Sequence, residues 1–135
     1  MRRIVLASHG HLAAGMKNSL EMITGPNPNV LAICAYTDGA PDLAKALQES
    51  VDRLEDDDDL VIVTDVLGGS VNNEASQFRN VKRVYVVTGM NLGFVLTLAL
   101  GSDDNTPALI EEAIDIAKGQ LVRMEPVEDK DDEDF

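Results

Sequence analysis

The chain has 135 residues, 44% of them hydrophobic and 26% charged, which suits one domain with a real core. A net charge of −13 and 4% aromatic residues, with no Trp, argue against nucleic-acid binding through a basic face or a stacking platform. A single Cys34, read as a small core residue, excludes an internal disulfide framework and fits a reducing, cytoplasmic setting.

Strand and helix signals alternate along the chain. Arg2 to Ala7 reads as a buried strand, and its apolar run is too short to be a signal peptide. Ser8-His9-Gly10 breaks it before a helix with Leu12, Met16, Leu20 and Ile23 on one face, which Gly25-Pro26 stops. A second strand, Val30 to Tyr36, ends in Thr37-Asp38-Gly39. Pro41 opens a helix with the stripe Leu43, Leu47, Val51 and Leu54. Glu55 to Asp59 is an unbroken acidic run, expected as a solvated loop, since the glycine and spacing of a calcium-binding EF-hand loop are missing.

The third strand, Leu60 to Thr64, runs through Asp65 into Gly68-Gly69-Ser70, with Ser70 expected as the N-cap of a short helix. Val81 to Thr88 reads as strand four. Asn91 caps a helix so uniformly apolar to Leu100 that deep burial is expected, although the segment has about half the length a bilayer demands. Thr106-Pro107 starts the last helix, with Ile110, Ala113, Ile114 and Ala117 inward. Leu121 to Met124 is expected as a short antiparallel edge strand. Residues 1–124 thus form one domain, and 125–135 an acidic, disordered tail of net −6, which leaves about −7 for the body.

This order implies an α/β, doubly wound, flavodoxin-like sheet, mainly parallel, with strand order 2-1-3-4 and helices on both faces. Strands one and three are then neighbours, with the topological switch between them, where open sheets place their ligands. His9 and Asp65 leave those strands side by side. A neutral imidazole is a competent nucleophile when a carboxylate holds its other N–H. Asp65 is the natural partner, with Asp38 one strand further off. Phosphoryl oxygens would find donors at Gly68, Gly69 and Ser70, with Ser8 and Gly10 contributing from the first loop. Two readings of other classes stay open: a non-catalytic ligand-binding module, and a metal site on His9, His11 and Asp65. No cofactor is expected, and Gly-X-Gly-X-X-Gly is absent.

At Ile4-Val5-Leu6-Ala7-Ser8-His9-Gly10, Leu20-Glu21-Met22-Ile23-Thr24-Gly25, Thr64 through Ser76, and Thr88-Gly89-Met90-Asn91-Leu92, the sequence resembles the enzyme IIA component of the mannose-class sugar phosphotransferase system. The resemblance spans roughly Met1 to Met124. It implies a phosphohistidine relay: the phosphocarrier HPr charges His9, which charges a IIB component, with membrane IIC and IID components downstream. It makes Asp65 the orienting acid and Ser70 part of the phosphate shell. It also implies a homodimer in which a C-terminal strand, here Leu121 to Met124, crosses to the partner. Val66-Leu67 and Val71 stand where some mannose members have an aromatic residue and a Pro. The phosphotransfer subunit of dihydroxyacetone kinase has a related domain and remains the alternative.

Overall fold

A computed structural model describes residues 1–128; the end of the acidic tail, 129–135, lies outside the described residues. Four parallel strands, β1 (Arg2–His9), β2 (Val30–Ala35), β3 (Asp59–Thr64) and β4 (Val84–Thr88), form one sheet in the order β2-β1-β3-β4. Between and after them come α1 (Leu12–Thr24), α2 (Leu43–Asp52), α3 (Ser70–Ser76), α4 (Leu92–Leu100) and α5 (Thr106–Gln120). The fold is the doubly wound one expected.

Period-two alternation sorts the strand side chains into two cores. Ile4, Leu6, Val61 and Val63 pack with Leu20 of α1, Phe94 and Val95 of α4, and Ile110 of α5. Val5, Ala7, Leu60 and Ile62 face the other way, against Leu47 of α2 and Val71 and Ala75 of α3. Both faces are covered, so β1 and β3 read as unbroken apolar runs. Each fully buried Leu or Ile side chain contributes about 1.5–3 kcal/mol.

Several expectations shift. On α1 the inward residues are Ala13, Met16 and Leu20, while Leu12 and Ile23 are exposed. α4 buries only Phe94, Val95 and Leu98, and Leu100 faces solvent, because the helix lies on the sheet by one side. Strand four begins at Val84, not Val81, because Arg83 turns the chain at φ +67°. Leu121 to Met124 forms no strand: these residues follow α5 without regular structure and are exposed. The sheet's edges are therefore β2 and β4.

The acidic run is not all solvated loop. Asp58 is buried, accepts from the Glu55 N–H, and pairs with the N-terminal amine and Arg3. Asp59 opens β3 and pairs with Arg83 at 2.7 Å, while the Thr106 hydroxyl donates to its other oxygen. Arg2 donates to Thr106 Oγ1 at 3.1 Å and to the Asp103 carbonyl. These groups close the end of the sheet opposite the strand carboxyl ends.

Candidate functional site

The parallel register brings Ala7 of β1 level with Thr64 of β3, so the residues that follow, His9 and Asp65, emerge together at the carboxyl edge. Asp65 Oδ2 accepts from both the backbone N–H of His9, at 2.7 Å, and its ring Nδ1, at 2.8 Å. Asp65 Oδ1 accepts from the Val66 N–H at 2.9 Å. Burial pushes the Asp65 pKa up, but the His9 backbone and ring donors, with the Val66 N–H, outweigh it and hold the carboxyl below its usual value.

An ionised carboxylate only accepts, so the network assigns the ring proton of His9 to Nδ1 and the lone pair to Nε2. Nε2 meets the Ser70 hydroxyl at 3.2 Å. The His9 side chain is 46% exposed and that of Asp65 only 7%. Nδ1 is thus pinned to a buried carboxylate, while nearly half of the imidazole side chain stays open to solvent.

The turn between β3 and α3 supports this pair. Asn72, buried in α3, accepts from the Gly68 N–H at 3.1 Å and donates to Thr64 Oγ1 at 3.0 Å. Gly68 takes φ +77°, which glycine adopts without strain. Gly69 serves by having no side chain, since a Cβ there would lie 3.3 Å from His9 Cε1.

Not every residue singled out from the sequence offers a free group. Ser8 is fully buried; its hydroxyl accepts from the Ala13 N–H at 2.8 Å and donates to the Gly10 carbonyl, so it caps the first turn of α1. The N–H groups of Gly10, Gly68 and Gly69 are taken by Ala35 O, Asn72 Oδ1 and Val66 O. Gly69, not Ser70, is the N-cap of α3, which makes Ser70 the first helical residue and leaves its hydroxyl facing His9. Asp38 is exposed in the turn after β2, and the imidazole is bonded to Asp65.

Sequence reasoning missed Tyr36. Its hydroxyl lies 2.8 Å from Ser70 Oγ, and its ring is tilted 51° to the imidazole with centroids 5.5 Å apart. An aromatic residue ending a strand carries no signal that it bends back over the sheet edge; only its φ of +64° reveals the turn.

Among the described residues, no three His, Cys, Asp or Glu side chains cluster as a metal ion requires, and His11 sits at the start of α1 without a capping bond. A groove of about 640 Å³ lies away from His9, walled by Val87 and Thr88 of β4, Phe94 of α4, and Ile114, Ala117 and Lys118 of α5. No helix among the described residues is long and apolar enough to cross a membrane.

A family model described as the fructose IIA component of the phosphotransferase system (PTS) matches residues 3–115. Similar solved structures include a putative phosphoenolpyruvate-dependent sugar PTS permease from Klebsiella pneumoniae subsp. pneumoniae MGH 78578. It shares 36% identity, with 90% of each chain covered and a TM-score of 0.84. The PTS component EIIA from Streptococcus agalactiae shares 26%, covering 91% of this chain and 97% of that one, with a TM-score of 0.81. The PTS IIA protein associated with the fucose utilization operon of Streptococcus pneumoniae shares 30%, over 90% and 96%, with a TM-score of 0.71.

Proposed function

Because this chain belongs to the fructose IIA-component family of the sugar phosphotransferase system, we propose that it carries a phosphoryl group on His9 Nε2, taken from phospho-HPr and passed to a IIB component. The observation that carries this reading is the polarity of one imidazole. Its Nδ1 is held by a buried, ionised Asp65, and its Nε2 meets only the Ser70 hydroxyl on a side chain that is nearly half exposed.

The chemistry follows from that arrangement. The Nε2 lone pair attacks phosphorus in line, an N–P bond forms, and the donor's P–N bond breaks, returning its electron pair to the donor imidazole. The His9 ring gains positive character as it bonds phosphorus, and Asp65 offsets that charge through the Nδ1–H, as an Asp does for a catalytic His. Of the expected phosphate shell, Ser70 is the member we retain, through its hydroxyl and through its N–H in the first turn of α3, where no intrahelical acceptor exists. Gly68 and Gly69 shape the approach, while Ser8 and Gly10 position the loop. The same geometry serves both directions, so transfer to IIB is the reverse of loading. IIB then feeds the membrane IIC and IID components.

Exposed Leu12, Val66 and Leu67 stand at the same edge as His9 and give a partner protein an apolar rim to settle on. The remaining acidity favours a partner with a basic face. We place the carrier in the cytoplasm, where both partners act.

The protein is also proposed to be a homodimer. β4 is an open edge, Leu121, Val122 and Met124 are exposed beyond α5, and the Thr88 hydroxyl is buried on the groove wall with no partner among the described residues. A partner's Leu121 to Met124 laid along β4 would cover that edge. Sedimentation should give a dimer that Leu121→Asp with Val122→Asp converts to monomer; a monomeric wild type overturns this arrangement.

The test of function is incubation with pre-charged HPr. Wild type should become an acid-labile, alkali-stable phosphoprotein with the label mapped to His9. His9→Ala should take none while keeping its circular dichroism, since the side chain is half exposed. Equal labelling of His9→Ala overturns the reading.

A further inference from the structure

Tyr36 follows β2 directly and forms the outer end of a hydrogen-bonded chain that reaches the reactive nitrogen. Its hydroxyl is 2.8 Å from Ser70 Oγ, and Ser70 Oγ is 3.2 Å from His9 Nε2. The direction of this chain is set at its inner end. Asp65 fixes the ring proton on Nδ1, so Nε2 only accepts and Ser70 must spend its one proton there. Tyr36 is then the donor to Ser70 Oγ.

The backbone at Tyr36 supports the same reading. A φ of +64° is a left-handed conformation that a bulky residue rarely adopts. The residue is 67% exposed, so burial of the ring gives little in return. What the turn secures is the phenol's reach to Ser70, together with a ring that flanks the imidazole.

Building on the phosphohistidine reading, we infer that Tyr36 is a positioning residue that acts through Ser70. The phenol anchors the Ser70 oxygen rather than its proton. In the uncharged protein the Ser70 O–H points at the Nε2 lone pair. As the N–P bond forms and the donor's P–N bond breaks, that proton swings about the Ser70 Cβ–Oγ bond onto a phosphoryl oxygen, while Tyr36 keeps the oxygen in place. No proton enters or leaves.

The experiment is a double-mutant cycle on the full chain: Tyr36→Phe, Ser70→Ala and the pair, each charged by phospho-HPr. Phe keeps the ring and removes only the hydroxyl. Tyr36→Phe should slow the maximal charging rate about three- to tenfold, the effect of one neutral hydrogen bond, and leave the half-saturating donor concentration unchanged. In the Ser70→Ala background the same change should add nothing. It should also move the ¹⁵N resonance of His9 Nε2 in the uncharged protein, a readout that needs no donor. A wild-type rate and resonance in Tyr36→Phe, a full effect that persists on Ser70→Ala, or a change confined to donor half-saturation each overturn the inference. Failure of the wild type to charge His9 refutes the phosphohistidine reading instead, and the resonance still decides the Tyr36–Ser70–His9 coupling.

Discussion

The two ends of the sheet are built from the same materials and differ in what they leave undone. At the amino end, Asp59 is shared by Arg83 and Thr106, Arg2 binds Thr106, and the Arg83 Nη1 and Nη2 groups donate to the Asp56 and Asp57 carbonyls. At the carboxyl end, Asp65 is satisfied just as fully by His9 and Val66, but the imidazole it holds is nearly half exposed and its other nitrogen meets one hydroxyl. One network is closed and contributes to stability. The other is closed on three sides and offers chemistry on the fourth.

Asp65→Asn breaks the contrast most strongly. An amide can present its NH₂ to Nδ1 and favour the wrong tautomer, so charging should slow by about 10²- to 10⁴-fold, read by rapid quench. An unchanged rate would mean that another group orients the ring.

The amino end should answer in stability alone. Thr106→Val removes a buried hydroxyl that bridges Arg2 and Asp59, and should lower unfolding free energy by about 1–2 kcal/mol in urea while charging is unaffected. The same end sets the acid response. The Asp58 carboxyl is held below its usual value chiefly by the Glu55 N–H. For Asp59, burial works upward but the Thr106 hydroxyl and Arg83 outweigh it, so its value is lowered too. A carboxyl whose pKa is lowered on folding stabilises above its ordinary value and loses that contribution as pH falls through the folded value. The urea midpoint should therefore hold from neutral pH to about 5 and decline below about 4. Thr106→Val should flatten part of that decline, because it removes a cause of the Asp59 shift.

Gly69→Ala sharpens the comparison at the smallest scale. Its φ of −69° tolerates a side chain, yet the new Cβ would crowd His9 Cε1 and the Val66 carbonyl at 3.3 Å. A tilt of the imidazole should cost charging about two- to fivefold, consistent with a small rotamer displacement, with a stability loss of about 1 kcal/mol or less because alanine caps a helix less well than glycine.

Much of this was legible in the residues, for reasons that differ by level. Alternating strand and helix signals, with right-handed crossovers, led to the order 2-1-3-4, and that order made His9 and Asp65 neighbours before any distance was known. Helix faces were less legible: Leu12 and Ile23 keep the right spacing on α1, but the helix rests on Ala13, Met16 and Leu20. Least legible were the fates of individual polar groups. Nothing in Ser8-His9-Gly10 says that the serine turns inward to Ala13 while the histidine turns out. Nor does Ala35-Tyr36-Thr37 announce a phenol placed over a serine met later in the chain. Such choices depend on which donor is left over once the backbone has been satisfied.

The acid at the end of β3 grips its histidine twice, once at the main chain and once at the ring, through a single oxygen. A base clamped at both handles has little torsional freedom left to surrender when its cargo arrives, so little reorganisation stands between loading and unloading. On the proposed reading, such a carrier would work as a passive conductor, the flow following the energies of the phosphorylated proteins on either side of it.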